Sequence, residues 1–284
     1  MTGDMLSIRN HDRDAAGLTY VYPVVSRRAG GVSVGINLNP NNACNWRCIY
    51  CQVPNLTRGV APKIDLALLE TELRSFLDDV INGSFMQERV PEEARQLKDI
   101  AISGNGEPTS CQEIHEVVQM IGKVMQDFDL VGNIRLTMIT NGSYLGRDTV
   151  RQALKALCEL GGRVWVKVDS ATSEGMRRIN NVKMNPDALI KQIELIAELC
   201  PTWIQTCMFE WQGEEPAQSE TDAYLAFLDA LRMAMVPIRG VLLYGPARRV
   251  MQPEAGLVSE LPVEWMQQMA GDIEDRGFIV RLNI

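Results

Sequence analysis

With 284 residues, 46% of them hydrophobic, the chain is long enough to bury one large core, and α/β barrels of this length commonly form a single domain. A formal charge of −8 disfavours bulk nucleic-acid binding, since domains that hold nucleic acid usually carry a basic face. There is neither a basic leader backed by an apolar stretch nor an apolar run of membrane length, so export and membrane insertion are not expected and the expected compartment is the cytoplasm.

In chain order, residues 1–30 read as an N-terminal extension and residues 31–284 as the body of a single domain. There, short β-rich runs alternate with helical patterns, which implies βαβ units and a parallel sheet. Strands are expected at Val32–Asn39, Asp99–Ser103, Ile134–Thr140, Val164–Asp169, Trp203–Phe209 and Ile238–Tyr244, with a short last one at Phe278–Leu282. Leu66, Leu69, Leu73, Phe76, Leu77 and Val80 recur at helical spacing behind Asp65 as N-cap. Asn185-Pro186 opens another helix, with asparagine as cap and proline at its first position.

The strands alternate instead of running apolar throughout. Val32, Val34, Ile36 and Leu38 share one face of the first, and Ser33, Gly35, Asn37 and Asn39 the other; Val164, Val166 and Val168 oppose Trp165, Lys167 and Asp169. In a ring of strands wrapped by helices the apolar face packs outward, which leaves a polar lumen able to hold a ligand.

Cys44, Cys48 and Cys51 form a C-x3-C-x2-C run with no fourth cysteine or histidine close behind. Thiolates select iron–sulfur clusters, zinc or copper(I). Structural zinc wants four ligands in a closed site, whereas a four-iron cluster on three cysteines leaves one iron open to a reactant. Seven cysteines in all, three of them grouped, fit a reducing compartment better than a disulfide framework. Cys111, Cys158 and Cys200 are too dispersed for a second cluster and read as structural; His11 and His115 receive no role.

Further candidates stand at the strand ends. Gly104, Asn105, Gly106 and Glu107 combine a glycine-rich turn with a carboxylate able to accept from an ammonium. Thr140-Asn141-Gly142-Ser143 reads either as a hairpin turn or as a polar ligand loop. Lys167 and Asp169 could pair with each other or meet a ligand. Gln205, Cys207 and Phe209 share a face, which makes Cys207 either a small core residue or a lumenal thiol able to receive a radical. Tyr244 and Arg248 could clamp an anion; the pairs Arg27-Arg28, Arg177-Arg178 and Arg248-Arg249 could each hold a phosphate or simply be solvated.

The cysteine spacing, with Tyr50 just before the third cysteine, resembles the radical S-adenosylmethionine (radical SAM) superfamily. That resemblance implies a partial (β/α)6 barrel, TIM-like, with its site at the C-terminal strand ends. It also implies a 4Fe-4S cluster on Cys44, Cys48 and Cys51, with Tyr50 beside the adenine of S-adenosyl-L-methionine. Gly104, Asn105, Gly106, Glu107 and Asn141 would contact the amino-acid and ribose parts of SAM. Val25-Ser26-Arg27-Arg28, Trp165 to Asp169 with Arg178-Ile179-Asn180, Gln205-Thr206 and Leu243 to Arg248 are similar to a subgroup of bacterial proteins allied with the wyosine-forming tRNA enzymes. Those enzymes carry a second cluster on cysteines ahead of the motif, and no cysteine precedes Cys44.

The function expected is reductive cleavage of SAM to a 5′-deoxyadenosyl radical that abstracts hydrogen from an unidentified substrate, which is a small molecule, a peptide or RNA. Lys167, Asp169, Gln205, Tyr244 and Arg248 are the expected substrate contacts, and flavodoxin or ferredoxin the expected electron donor. Alternatives are wyosine-type tRNA modification, a glycyl-radical-type activase, and a non-catalytic iron–sulfur or zinc protein.

Overall fold

The computed structural model describes Leu6, residues 17–26 and residues 30–284; the expectations on His11 and Arg27-Arg28 lie outside the described residues. Eight strands form one curled sheet whose spatial order follows the chain: β1 (Val21–Ser26), β2 (Gly31–Ile36), β3 (Leu97–Ile102), β4 (Arg135–Thr140), β5 (Arg163–Lys167), β6 (Thr202–Cys207), β7 (Ile238–Tyr244) and β8 (Val280–Asn283). From β2 to β8 every pairing is parallel. Six helices make the crossovers: α1 (Leu66–Ile81), α2 (Ile114–Asp127), α3 (Asp148–Glu159), α4 (Pro186–Leu199), α5 (Gln218–Met233) and α6 (Val263–Glu274). This is the expected partial barrel, open because its edge strands β1 and β8 do not pair.

The outward face behaves as the alternation requires. Val32, Val34 and Ile36 are fully buried in one core with Leu69, Leu73 and Leu77 of α1, each such side chain contributing about 1.5–3 kcal/mol by leaving water. Asp65 caps α1 by accepting from Leu68 N, and Asn185 caps α4 by accepting from Asp187 N. Ser33, Gly35, Trp165 and Lys167 point the other way and line the lumen.

Two expectations change. Val21–Ser26, placed by the sequence in an extension outside the barrel, pairs antiparallel with β2 as an edge strand. Pro23 obscures that strand in the sequence because proline cannot donate to a ladder, yet an edge tolerates it. Glu72 fixes its start, accepting from the backbone N–H groups of Thr19, Tyr20 and Val21. Four strands, those ending at Ile36, Ile102, Lys167 and Cys207, also stop short of their predicted ends, and beyond two of them polar side chains take over backbone partners: Asn37 Oδ1 accepts from Asn39 N at 3.1 Å and Asp169 Oδ1 from Cys207 N at 3.1 Å.

Candidate active site

Cys44, Cys48 and Cys51 sit on the loop that leaves β2, at the C-terminal end of the barrel, and all three border one cavity of about 260 Å³. Polar contacts fix the loop. Asn39 Nδ2 donates to Ala43 O at 2.9 Å, Trp46 N to Cys44 Sγ at 3.4 Å, and Asn105 Nδ2 to Asn42 Oδ1 at 2.6 Å. From the other side Arg47 N and Ile49 N donate to the carbonyls of Asn180 and Ile179, at 3.1 and 2.8 Å. Burial, with Glu107 nearby, pushes the Cys44 thiol up to about 12, and burial drives Cys48 higher, so the bare thiols stay neutral until a metal draws off their protons.

Gly104, Asn105, Gly106 and Glu107 border the same cavity, although its glycines are explained by packing rather than by approach to a ligand. A Cβ on Gly106 would lie 2.0 Å from Ala43 O, and one on Gly104 2.3 Å from Asn37 Oδ1. Asn105, the residue that interrupts the two glycines, leaves its Oδ1 buried with no hydrogen-bond partner. Glu107 Oε1 accepts from Thr109 N at 3.1 Å and from the hydroxyls of Thr109 and Thr140, while Oε2 accepts from Asn141 N at 2.7 Å. Burial raises its pKa, and these bonds pull the other way. Asn141 is fixed in turn by donating Nδ2 to Asn45 Oδ1 at 2.9 Å. The Thr140–Ser143 segment leads from β4 toward α3 and is therefore a connecting loop, not a hairpin turn.

Deeper in the lumen stand Trp165, Lys167, Gln205, Cys207 and Tyr244. Lys167 Nζ donates to Tyr244 Oη at 3.1 Å, pairs with Asp169 Oδ1 at 3.7 Å and lies 5.0 Å over the Tyr50 ring. Burial favours the neutral amine, but Asp169 and Tyr244 outweigh it and raise the pKa, so the ammonium persists. Gln205 is buried and its Oε1 has no partner.

Asp169 differs from the expectation of a ligand contact. It borders a second cavity instead, and its carboxylate is taken up by Tyr50 Oη at 2.6 Å, Asn180 Nδ2 at 2.7 Å, Cys207 N and Lys167. Arg248 lies on a strap after β7 that crosses the cysteine loop. There Arg248 donates to Gln52 Oε1 at 3.2 Å, Met251 N to Cys51 O at 2.9 Å, Gln252 Nε2 to Val53 O at 3.0 Å, and Arg47 forms a bidentate pair with Glu254 at 2.7 and 2.8 Å.

The sequence profile of the Radical SAM superfamily matches residues 38–219, a span that includes the cysteine loop, the glycine–glutamate turn and β5. The chain belongs to the radical SAM superfamily. Members of that superfamily use a 4Fe-4S cluster and SAM. Among curated proteins, UPF0026 protein slr1464 of Synechocystis is 27% identical over 200 residues, covering 70% of this chain and 63% of that protein. UPF0026 protein MJ1312 of Methanocaldococcus jannaschii is 30% identical over 158 residues (56% of this chain, 42% of that protein), and GTP 3′,8-cyclase of Rhizobium etli 30% over 159 residues (56% and 38%). The chain thus spans less than two thirds of the length of these relatives. Among solved structures, TYW1 with a lysine-pyruvate adduct bound aligns at TM-score 0.57 and 15% identity, covering 95% of this chain and 79% of that one. A radical SAM methyltransferase from Sphaerobacter thermophilus aligns at 0.57 and 12%, covering 89% and 66%. At those identities the likeness shows the fold.

The residues present fit the superfamily's two cofactors. Three thiols border one space, and thiolates are the ligands that hold iron–sulfur clusters. Glu107 and the unpartnered Asn105 Oδ1 supply acceptors for an ammonium on the same cavity. Sequence reasoning passed over Asn180, although it had marked the Arg178-Ile179-Asn180 stretch. It also missed Thr140 as a holder of Glu107 and the Arg47–Glu254 clasp, because contacts between residues 33 and 207 positions apart leave no local pattern.

Proposed function

We propose that this enzyme uses a 4Fe-4S cluster on Cys44, Cys48 and Cys51 to cleave SAM to a 5′-deoxyadenosyl radical that abstracts hydrogen from a small anionic substrate in the lumen. The observation that carries this reading is the single cavity bordered by all three cysteines, the Gly104–Glu107 turn, and Lys167 with Gln205. When bound, the cluster supplies the electron that breaks a carbon–sulfur bond of SAM. The chain supplies binding, orientation and exclusion of water.

Glu107, Asn105 Oδ1 and Asn141 hold the amino-acid and ribose portions of SAM, while the Tyr50 ring borders the same space. Substrate is read by the Lys167 ammonium, the Tyr244 hydroxyl and Gln205 Oε1, with Trp165 and Ile139 as its apolar wall. An anion answers Lys167, and an N–H or O–H donor answers Gln205. The strap carrying Arg248 supports a small molecule over a polynucleotide, because hydrogen bonds made by Arg248, Met251, Gln252 and Glu254 tie it across the cysteine loop. The electron comes from a flavodoxin or ferredoxin, and the chain works as one domain in the cytoplasm; among the described residues no helix is long and apolar enough to cross a membrane.

The test is anaerobic. Protein reconstituted with iron and sulfide, reduced with dithionite and given SAM releases 5′-deoxyadenosine by mass spectrometry, and Cys48→Ala releases none. Methylthioadenosine in its place would move the reading to aminocarboxypropyl transfer, and intact SAM over a fully formed cluster, with organic acids supplied, would sink it.

A further inference from the structure

Asn180 ends the short turn Met176–Asn180, which packs against the cysteine loop. Its side chain is 1% exposed, and Nδ2 lies 3.2 Å from Cys48 Sγ and 2.7 Å from Asp169 Oδ2. The Asp169 carboxylate can only accept, so the amide cannot be flipped: an oxygen there would face a carboxylate oxygen at 2.7 Å. The donor is also held firmly. Asp169 is anchored by Tyr50, Cys207 N and Lys167, and the backbone of residues 179–180 accepts from Ile49 N and Arg47 N. Asn181 Nδ2 adds a bond to Arg47 O at 2.9 Å.

An N–H donor on a ligating sulfur withdraws electron density from it. Because the reduced cluster is the more negative state, that withdrawal stabilises it more than the oxidised one and raises the reduction potential. We propose that Asn180 is a positioning residue that sets the potential of the cluster through its hydrogen bond to Cys48, with Asp169 holding the amide in register. The inference rests on the cysteine assignment above but not on the identity of the substrate.

The test is a redox titration of reconstituted protein, followed by electron paramagnetic resonance of the reduced cluster, on wild type, Asn180→Leu and Asn180→Ser. Leucine keeps the volume without a donor, and serine is too short to reach Cys48. Both variants are expected to load iron as wild type does, while the ratio of reduced to oxidised cluster at a fixed potential falls about tenfold, which for a one-electron couple corresponds to about 59 mV in the negative direction. A loaded variant that titrates with wild type overturns the proposal. So does failure of both variants to take up iron, since the residue would then serve only to support the loop. A wild-type protein that takes up no four-iron cluster would instead strike the cysteine assignment itself, and this inference with it.

Discussion

Gly106 illustrates how much of this site is decided by one absent atom. Its Cβ would press on the Ala43 carbonyl and on Asn39, both parts of the loop that presents the cysteines, and backbone cannot rotate away as a side chain can. Gly106→Ala is expected to destabilise the protein by about 1–3 kcal/mol, the usual range for overpacking, read as a lower urea midpoint, and to lower iron uptake at saturating iron and sulfide. The buried thiols provide a second check. In iron-free protein Cys44, raised to about 12 by burial and Glu107, is a neutral thiol at neutral pH, and only the thiolate is alkylated. Peptide mapping after brief iodoacetamide treatment should find the exposed Cys158 modified first, with Cys48, Cys200 and Cys207 protected by burial. The Cys44 rate should climb about tenfold per pH unit throughout the alkaline range below its pKa; a plateau near pH 9 would contradict the burial.

At the scale of elements, the strands were legible because period-two alternation survives inside a helix-wrapped sheet. The difference between prediction and structure lies at their ends, where Asn37 and Asp169 satisfy backbone N–H groups with side-chain oxygens. Alternation could place Lys167 and Asp169 on one face; it could not show that the chain leaves the sheet after Lys167 and turns Asp169 toward a second cavity. The strap after β7 had no periodicity to announce it. Its Arg47–Glu254 clasp is partly exposed, with side chains 30% and 20% accessible, so its contribution to stability is about 0–1 kcal/mol. Glu254→Ala should therefore leave the unfolding midpoint almost unchanged while opening the cavity. The expected readout is faster bleaching of the cluster in air than in wild type, and equal bleaching rates would show that the strap does not restrict access.

At the scale of the whole molecule, a net charge of −8 works against counterion-release binding to polynucleotides. Unfractionated tRNA is expected to give no gel retardation at physiological salt, with or without the cluster; a complex that weakens steeply with salt would return RNA to the list of substrates. SAM, by contrast, should raise the melting temperature only of cluster-loaded protein, since a ligand that binds the native state alone stabilises it by mass action. The sequence by itself determined the parallel strand order, the trio of cysteines and most of the lumenal face, because those depend on local spacing: eight residues of loop, two-residue alternation, and helical repeats behind a cap. Tertiary structure alone decided which polar groups are already satisfied and which still await a partner. Asp169 and Glu107 Oε1 are taken up by residues from several elements while Glu107 Oε2 accepts a single bond, Asn180 reaches Cys48 across 132 positions, and Asn105 Oδ1 and Gln205 Oε1 are left open. That division follows from hydrogen bonding being a contest among all donors and acceptors within about 3 Å, a neighbourhood that exists only once the chain has closed on itself.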